Sequence, residues 1–475
     1  MRQPGRTAHL SVCTLIFALA LVFSSAAGAA RYLVVYKGEN VPKNTAASIQ
    51  AAGGQLVIKY DDIGVALADS PLDSFSTALT ADPKVDGVAS LSGLSFGLEH
   101  DVTDWEGELP NVPASDADTF SPLQWNMRQI HAPEAHAVTG GSPSVVVGLL
   151  DSGIDYTHPD LAQNVDFADS ASCVSGVPDT SPLAWRDDNG HGTHNAGTIA
   201  AGSNGFGIVG VAPNVRIASV KVAQPSGLIT PAAVVCGFVW AANHHMDVTN
   251  NSYTIDVGAT TAADPLDFFC HDDAVQQPLI KAVQRAVRYA QKNGVTVVAS
   301  AGNSNIDLAH PPLGNECIRM PSELPGVIDV SATALSATKA SYSNYGVGAI
   351  NVAAPGGDVV PAPPAGFVLS TWPSYLQVPR LLQDPLAPGP AFYRYMAGTS
   401  MAAAHASGVA ALIVSRYGDL KRGDASMRPG RVAAYMEQTA FEVPCPLDLT
   451  ACDGGEGYNG FYGHGIVDAF AAVTR

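Results

Sequence analysis

Charged residues are scarce in this sequence, and positive charges are scarcer than negative ones. Only 14% of the 475 residues are charged, with 25 Lys and Arg against 43 Asp and Glu, so the formal net charge is −18. So few charges exclude a coiled coil, and a hydrophobic share of 47% excludes a disordered chain. Without clustered cations to contact phosphates, nucleic acid is excluded as a partner.

Beyond the N-terminus, the sequence lacks any uninterrupted apolar run of about 18 residues, so no membrane span is predicted there. At the N-terminus, two arginines precede a largely apolar run at 10–23 and a small-residue stretch at 26–30. This pattern is typical of a secretory signal peptide cleaved after Ala29 or Ala30. The alternative is an uncleaved anchor, for which the run is short. We expect residues 1–30 to be removed and the protein to be secreted to the extracellular space, free of the membrane.

No C-x-x-C pair occurs, which argues against a structural zinc site. Six of the seven cysteines lie beyond the predicted signal peptide, and an even number in an exported chain indicates disulfides. The sequence alone does not decide their pairing. The short loop favours one pair, and the others are the remainder: Cys445–Cys452, Cys173–Cys236 and Cys270–Cys317.

The rest of the chain divides into three parts. Residues 31–96 have the element order β-α-β-β-α-β of a small ferredoxin-like α+β domain. Residues 97–119 contain seven acidic residues, two prolines and no Lys or Arg, which predicts an exposed acidic linker that proteases can cut. Residues 120–475 form the third part, which is the largest.

Apolar strands alternate with helices over 120–475. The runs that resemble buried parallel strands are 145–150, 217–222, 295–301 and 327–330. A helix is predicted over about 274–292, where apolar residues recur at helical spacing. The alternation indicates an open, mostly parallel α/β sheet with helices on both faces. The Pro-rich stretch 355–390 is predicted to be a long surface loop.

Four polar residues are candidates for a functional role, and two of them stand at the carboxyl ends of predicted parallel strands, where such sheets bind ligands. Asp151 and Asn303 each follow an apolar strand. His191 is flanked by glycines at a predicted helix start, and Ser400 precedes a helix of small residues. Taken singly, each has an ordinary interpretation as a turn, packing or capping residue. His191 and His194 also have the spacing of a metal-binding pair, but no glutamate completes an H-E-x-x-H motif.

Together, these contexts resemble the subtilisin-like serine proteases, the subtilases. The matching motifs are V-V-V-G-L-L-D-S-G-I at Asp151, H-G-T-H-N-A-G-T at His191, A-G-N at Asn303 and G-T-S-M-A-A at Ser400. The resemblance covers about 120–475 and implies a subtilisin-like catalytic domain. It also implies that the preceding small domain is an inhibitory propeptide.

The resemblance implies a role for each of the four residues. Ser400 would attack the peptide carbonyl, and His191 would take its proton and return it to the leaving amine. Asp151 would orient the imidazole and stabilise its cation. Asn303 and the backbone N–H of Ser400 would form the oxyanion hole.

The resemblance also implies a substrate-binding set. Its members are Ser252, Tyr253, Thr254, Ala301 and Gly302. The segment 252–254 matches the strand on which subtilases pair a substrate backbone, although an ordinary core strand is the alternative. Thr254 stands where the family usually has glycine, so no side-chain preference is carried over.

Two further expectations concern the helix after Ser400 and bound ions. Ala404 stands where subtilases usually have proline, and alanine is also acceptable in a first helical turn, so it bears on efficiency more than on activity. The chemistry requires no cofactor and no catalytic metal. Structural calcium is common in the family, but its ligands come from scattered loops that cannot be matched to this sequence.

The expected function is a secreted serine endopeptidase made as a precursor. Its partners are polypeptide substrates and its own propeptide, which acts as an intramolecular inhibitor. One alternative is a catalytically inactive subtilase-like binding protein, against which the presence of all four residues argues. Another is a maturation protease dedicated to a single peptide.

Overall fold

The structure is a computed structural model that describes residues 28–92, 95–98, 101, 116–256, 269–312, 314, 317–359, 366–420, 426–446 and 451–475. Residues 1–27 lie outside this set, so the signal peptide stays a prediction. Across the described ranges, no helix is both long and apolar enough to cross a membrane.

The N-terminal region is a four-stranded antiparallel sheet with two helices. Its elements are β1 Ala30–Tyr36, α1 Thr45–Ala51, β2 Gln55–Tyr60, β3 Val65–Ser70, α2 Phe75–Thr80 and β4 Val85–Ser90. The strand order is β2-β3-β1-β4. Strand β1 alternates its side chains between the two faces: Tyr32 and Val34 pack with Ile49 and Phe75, which belong to the helices. The element order is the one predicted from the sequence.

The larger region follows a short strand, β5 Ser95–Leu98. Its strands are β6 Val146–Asp151, β7 Ala171–Ser172, β8 Arg216–Lys221, β9 Leu228–Ile229, β10 Val248–Asn251, β11 Tyr253–Asp256, β12 Phe269–Cys270, β13 Thr296–Ser300, β14 Cys317–Ile318, β15 Ile328–Thr333, β16 Val352–Pro355, β17 Val368–Trp372, β18 Leu382–Gln383, β19 Phe392–Met396, β20 Gly454–Gly455 and β21 Tyr458–Asn459. Its helices are α3 Trp125–Gln129, α4 Ala132–His136, α5 Pro182–Trp185, α6 His191–Ala200, α7 Pro231–Asn243, α8 Gln277–Lys292, α9 Thr399–Tyr417, α10 Pro429–Thr439 and α11 Ala469–Thr474.

Seven of these strands form the central sheet, in the order β16-β15-β13-β10-β6-β8-β7, and all neighbours are parallel. Strand β6 shows why its sequence is continuously apolar. Val147 and Leu149 pack in the core that contains α6 and α9, whereas Val146 and Leu150 pack in the core that contains α7 and α8. Both faces of the sheet are therefore covered, which is the predicted subtilisin-like layer arrangement.

The second face of the N-terminal sheet rests on α7 and α8. Leu33 and Val35 of β1 belong to the same buried cluster as the apolar faces of those helices. Polar contacts surround this apolar interface. Arg285 Nη1 donates to the carbonyl oxygen of Tyr36 at 2.8 Å, and Lys281 Nζ pairs with Asp86 at 2.8 Å.

The prediction of an exposed acidic linker over 97–119 is wrong for Asp101 and Asp118, two acids that the structure describes there. Leu98 lies in β5 and is paired on both sides, with β11 and with the backbone of Gly227. The side chain of Asp101 is only 2% exposed, and Asp118 is 3% exposed with both carboxylate oxygens accepting backbone N–H groups of the 204–205 turn. These acids fail to face water because the larger region supplies donors for them. Residues 99–100 and 102–115 lie outside the described residues.

The prediction of a long surface loop over 355–390 is also wrong in part. Val368–Trp372 is a fully buried strand that pairs with β19, and its side chains contribute to two apolar clusters. The prolines lie around this strand and outside it, so composition alone concealed it.

The three predicted disulfides are all present. They join Cys173 to Cys236, Cys270 to Cys317 and Cys445 to Cys452.

Candidate active site

Asp151 is the last residue of β6, so its side chain lies at the carboxyl edge of the sheet. The residue is fully buried, and a buried carboxylate needs hydrogen-bond donors. The N–H of Ser152 donates to Oδ1 at 2.6 Å, and Asn195 Nδ2 donates to Oδ2 at 3.0 Å. His191 Nδ1 donates to Oδ1 at 2.7 Å, because a carboxylate only accepts. The other ring nitrogen, Nε2, therefore faces away from Asp151.

His191 is the first residue of α6, and its position depends on the turn before it. Gly190 has φ 107°, a left-handed conformation that favours glycine. A Cβ at this position would lie 2.2 Å from the indole ring of Trp372. Asp187 caps the helix start, because its carboxylate accepts the N–H groups of Gly190 and Thr193, both at 2.9 Å.

Ser152 joins the strand end to this helix start. Its hydroxyl donates to Asp187 Oδ1 at 2.9 Å and accepts the N–H of Gly192 at 2.9 Å. Asp151 and His191 are thereby held by one hydrogen-bonded unit. The sequence analysis missed Asp187, although an aspartate just before a glycine-rich helix start is a usual capping signal.

Ser400 is the second residue of α9 and is fully buried. Ser252 Oγ donates to its carbonyl oxygen at 3.1 Å, which ties the start of α9 to the segment between β10 and β11. Its hydroxyl has no hydrogen-bond partner among the described residues. The N-terminal position also presents backbone N–H groups and the positive end of the helix dipole.

Asn303 follows β13 and is oriented by the residue before Ser400. Its Oδ1 accepts the N–H of Thr399 at 2.9 Å and the hydroxyl of Thr399 at 2.8 Å. Two donors on Oδ1 fix the orientation of the amide, so the NH₂ group points the other way. Nδ2 donates to Asp101 Oδ1 at 3.2 Å.

The carboxylate of Asp101 lies between the histidine and the asparagine. Its Oδ2 is 2.9 Å from His191 Nε2, although the two atoms are not aligned as a hydrogen bond. Its Oδ1 would be 1.8 Å from a Cβ at position 398, where the chain has glycine. The sequence analysis assigned Asp101 to the linker, and no local signal distinguishes it from the other acids of that segment.

These surroundings shift the pKa values of the buried histidines in opposite directions. Burial opposes the charged form of His191, yet the carboxylates of Asp151 and Asp101 raise its pKa well above the ordinary value. Burial lowers the pKa of His194 to about 3, and the charge of His191 acts in the same direction. An imidazolium between two carboxylates is therefore the favoured state of His191 in this arrangement.

The metal-binding alternative for this histidine pair is not supported. Both nitrogens of His191 face carboxylates, and His194 Nε2 donates to the carbonyl oxygen of Arg394 at 3.0 Å. Among the described residues, no group of three or more His, Cys, Asp or Glu side chains is arranged to hold a metal ion. Structural calcium stays an expectation without assigned ligands.

The segment predicted to bind substrate lies beside Ser400 and pairs with β5. Ser252 separates β10 from β11, and in β11 Tyr253 is opposite Leu98 and Thr254 is opposite Gly97. Strand β9 flanks β5 on its other side, also antiparallel. Strand β5 is thus the middle strand of a three-stranded sheet that leads toward Asp101.

Ala301 and Gly302, the other predicted substrate-binding residues, connect β13 to Asn303. The carbonyl oxygen of Ala301 accepts from Arg319 Nη1 and from Asn344 Nδ2, both at 2.8 Å. Gly302 has φ 103°, and a Cβ there would lie 1.6 Å from Arg319 Nη1. The sequence analysis missed Arg319, because nothing near it in the sequence relates it to this edge of the sheet.

Helix α9 runs unbroken from Thr399 to Tyr417 and includes Ala404, which is fully buried. The neighbouring His405 forms one hydrogen bond within the helix and one to a residue outside it. Its Nδ1 donates to the carbonyl oxygen of Met401 at 2.7 Å, and its Nε2 accepts from Asn126 Nδ2 at 2.8 Å. Burial lowers the pKa of His405 to about 4, which keeps it neutral at ordinary pH.

Comparison with known proteins identifies the family of the chain. The sequence model of the subtilase family matches residues 142–465. An alkaline protease from Alkalihalobacillus alcalophilus is 32% identical over 353 residues, covering 74% of this chain and 70% of the relative. Subtilisin Savinase from Lederbergia lenta is 31% identical over 353 residues, covering 74% of this chain and 98% of the relative.

A solved structure with a similar fold is the epidermin leader peptide processing serine protease from Staphylococcus aureus. Its TM-score is 0.69 at 22% identity, and the match covers 94% of this chain and 98% of that chain. The family match and the two relatives together lead to one conclusion: the chain belongs to the subtilase family and is a subtilisin-like serine endopeptidase.

Proposed function

We propose that the protein is secreted as a precursor, in which the N-terminal region blocks the active site, and that it hydrolyses peptide bonds once this block is removed. The observation that carries the proposal is the position of Asp101. Its carboxylate contacts His191 Nε2 and Asn303 Nδ2, the two groups that would act on a substrate carbonyl.

The proposed chemistry assigns one task to each group. Ser400 Oγ attacks the carbonyl carbon, and His191 Nε2 accepts the hydroxyl proton and then protonates the leaving amine. Asp151 holds Nδ1 and stabilises the imidazolium. The oxyanion receives hydrogen bonds from Asn303 Nδ2 and the N–H of Ser400, and removing such a side chain costs about 10²- to 10³-fold in turnover.

The blocked state follows from the same contacts. While Asp101 occupies Asn303 Nδ2, no oxyanion can use that donor. While His191 is an imidazolium between two carboxylates, it cannot accept the proton of Ser400. The segment that contains Asp101 must therefore leave before the enzyme turns over. Strand β5 holds this segment in the cleft by backbone pairing with β9 and β11.

The test compares Ser400→Ala with Ser415→Ala, a control at the far end of the same helix. Both precursors are expressed in a host without other extracellular proteases, and their intact masses are measured. We expect Ser415→Ala to be processed and Ser400→Ala to accumulate with residues 31–96 attached. Trimming of Ser400→Ala at the same bond would refute self-processing.

Labelling with a fluorophosphonate separates the proposed enzyme from an inactive binding protein. The mature protein is expected to be modified at Ser400, and absence of modification would favour the inactive scaffold. A proteome-wide cleavage profile tests the second alternative, because a single cleaved sequence would indicate a dedicated maturation protease.

A further inference from the structure

A buried cation lies directly behind the wall of the cleft that leads to Asn303. Arg319 is 1% exposed and is one of the largest fully buried side chains among the described residues. Its Nη1 donates to the carbonyl oxygen of Ala301, and its guanidinium fills the space into which a side chain at Gly302 would project. A buried guanidinium requires strongly polar or anionic partners, and the carbonyl oxygen of Ala301 is one of those of Arg319.

The strand register places this cation beside a particular residue of a bound peptide. Leu98 is opposite Tyr253, so the next step of the antiparallel ladder is opposite Ser252, which bonds to the backbone of Ser400. A peptide that follows β5 therefore presents, at that step, the residue whose carbonyl reaches Ser400. This residue, called P1, would then lie beside Ser252 and near Ala301–Gly302, the segment that leads to Asn303.

Glu99 follows Leu98 in the sequence. It lies outside the described residues, so its relevance here is its position in the sequence alone. A carboxylate and a guanidinium can form a bidentate, charge-assisted pair, which gives both energy and geometric selectivity.

Arg319 is also held in place by covalent and backbone constraints. It directly follows β14, which pairs with β12 through Cys317 opposite Cys270, and a disulfide joins those two residues. The carboxylate of Glu323 accepts the backbone N–H of Arg319 at 2.7 Å. Burial raises the pKa of Glu323, and that N–H and the charge of Arg319 both counteract the rise.

We infer that Arg319 determines the specificity of this protease and selects peptides with Glu or Asp at P1. The inference rests on the proposed function and refines it by naming the substrate class. The guanidinium sits at the P1 wall, and its donors match a carboxylate better than an amide or an apolar side chain.

The first test needs no variant and uses the mature wild-type enzyme. Fluorogenic peptides that differ only at P1, with Glu, Asp, Gln, Leu or Lys, are compared by kcat/KM. Because Glu and Gln have the same shape, their ratio isolates the charge. We expect Glu to exceed Gln by about 10- to 100-fold, as for other hydrogen bonds to charged groups. Equal rates for the two peptides would overturn the inference.

The second test uses Arg319→Gln, with Arg319→Lys as the conservative variant and Arg431→Gln, an exposed residue of α10, as the control. Arg319→Gln should bring the Glu-to-Gln ratio of kcat/KM close to one, and a loss of activity common to both peptides cancels in this ratio. Arg319→Lys should keep part of the preference, and Arg431→Gln should keep all of it. A preference unchanged in Arg319→Gln would show that Arg319 only stabilises its surroundings.

Failure of this inference is distinguishable from failure of the proposed function. If the Leu peptide is hydrolysed and Ser400 is labelled but no acidic preference exists, only the assignment of Arg319 is refuted. If no peptide is hydrolysed and Ser400 is not labelled, the proposed function itself fails. N-terminal sequencing of the self-processed protein adds a further test: a start at His100 supports the inference, and cleavage after Leu98 counts against it.

Discussion

Removal of the Asp101 carboxylate should lower the pKa of His191 in the precursor. Oδ2 lies 2.9 Å from Nε2, and Coulomb's law with an effective dielectric constant of about 20 gives an upper limit of about 6 kcal/mol at this distance. Desolvation and the poor alignment reduce this figure. Opposite charges at such distances shift pKa values by about 1–3 units, or about 1.4–4 kcal/mol. We expect Asp101→Asn to lower the pKa of His191, because it removes one of the two carboxylates that raise this pKa.

The measurement is an NMR titration of the His191 imidazole in the Ser400→Ala precursor, with and without Asp101→Asn. Asp116→Asn is the matched control, because Asp116 belongs to the same acidic segment but contacts His136 at 3.5 Å. The control should leave the titration of His191 unchanged. A change below about 0.3 units on Asp101→Asn would refute the reasoning, since an opposite charge in direct contact shifts a pKa by about 1–3 units.

The same contact makes the blocked state depend on pH, and the sign follows from the direction of the shift. Burial opposes the charged form of His191, but Asp151 and Asp101 raise its pKa in the blocked state, and the neighbouring His194, whose pKa is lowered to about 3, carries no charge there. The stabilisation of the blocked state by Asp101 is therefore complete at pH values below the pKa that His191 has without Asp101. It is lost as the pH rises through the raised pKa. Self-processing of the wild type should accelerate as the pH rises through that range. Below this range, Asp101→Ala should process itself faster than the wild type does.

Three further predictions concern the machinery around the site. His191→Ala should abolish peptide hydrolysis, whereas Asn303→Ala should retain a rate lower by about 10²- to 10³-fold, as measured with a fluorogenic peptide; wild-type turnover by His191→Ala would contradict its role. Asp187→Ala should lower kcat more than it raises KM, because it removes the cap that places His191; Asp187→Asn should restore part of the loss. Replacing Cys173 and Cys236 by serine, which opens a loop with a sequence separation of 63, should cost about 4 kcal/mol in chemical denaturation; an unchanged midpoint would contradict this expectation.

The layers of the fold were predictable because they depend on local patterns. The strand at Val146–Asp151 is apolar on both faces, and only a sheet covered on both sides accommodates such a run. The helix at Gln277–Lys292 has a regular apolar stripe, and its observed start is three residues after the predicted one. Errors arose where burial was decided by distant partners, as for Val368–Trp372 within a Pro-rich stretch.

The sequence predicts the residues of the candidate site one at a time, but it does not predict how they are arranged. Asp151, His191 and Asn303 each stand in a glycine-rich motif, and the structure brings them to one edge of the sheet. Asp187 and Ser152 hold two of these residues, but in the sequence Asp187 carries only a capping signal and Ser152 is an ordinary polar residue. Their function comes from hydrogen bonds across turns, and composition does not encode such contacts.

Asp101 shows a further limit of reasoning from composition. A run of acids without cations predicts a solvated linker, since charges repel one another and prefer water. The larger region instead places a buried imidazole and an amide against the Asp101 carboxylate. Asn303, which donates to Asp101, lies 202 positions after it, and the chain between them must build the strands of the cleft before this contact can form. An acidic segment that precedes a protease region is thus a candidate for docking into that protease, and the fate of each acid is decided by the strand pairing that delivers it.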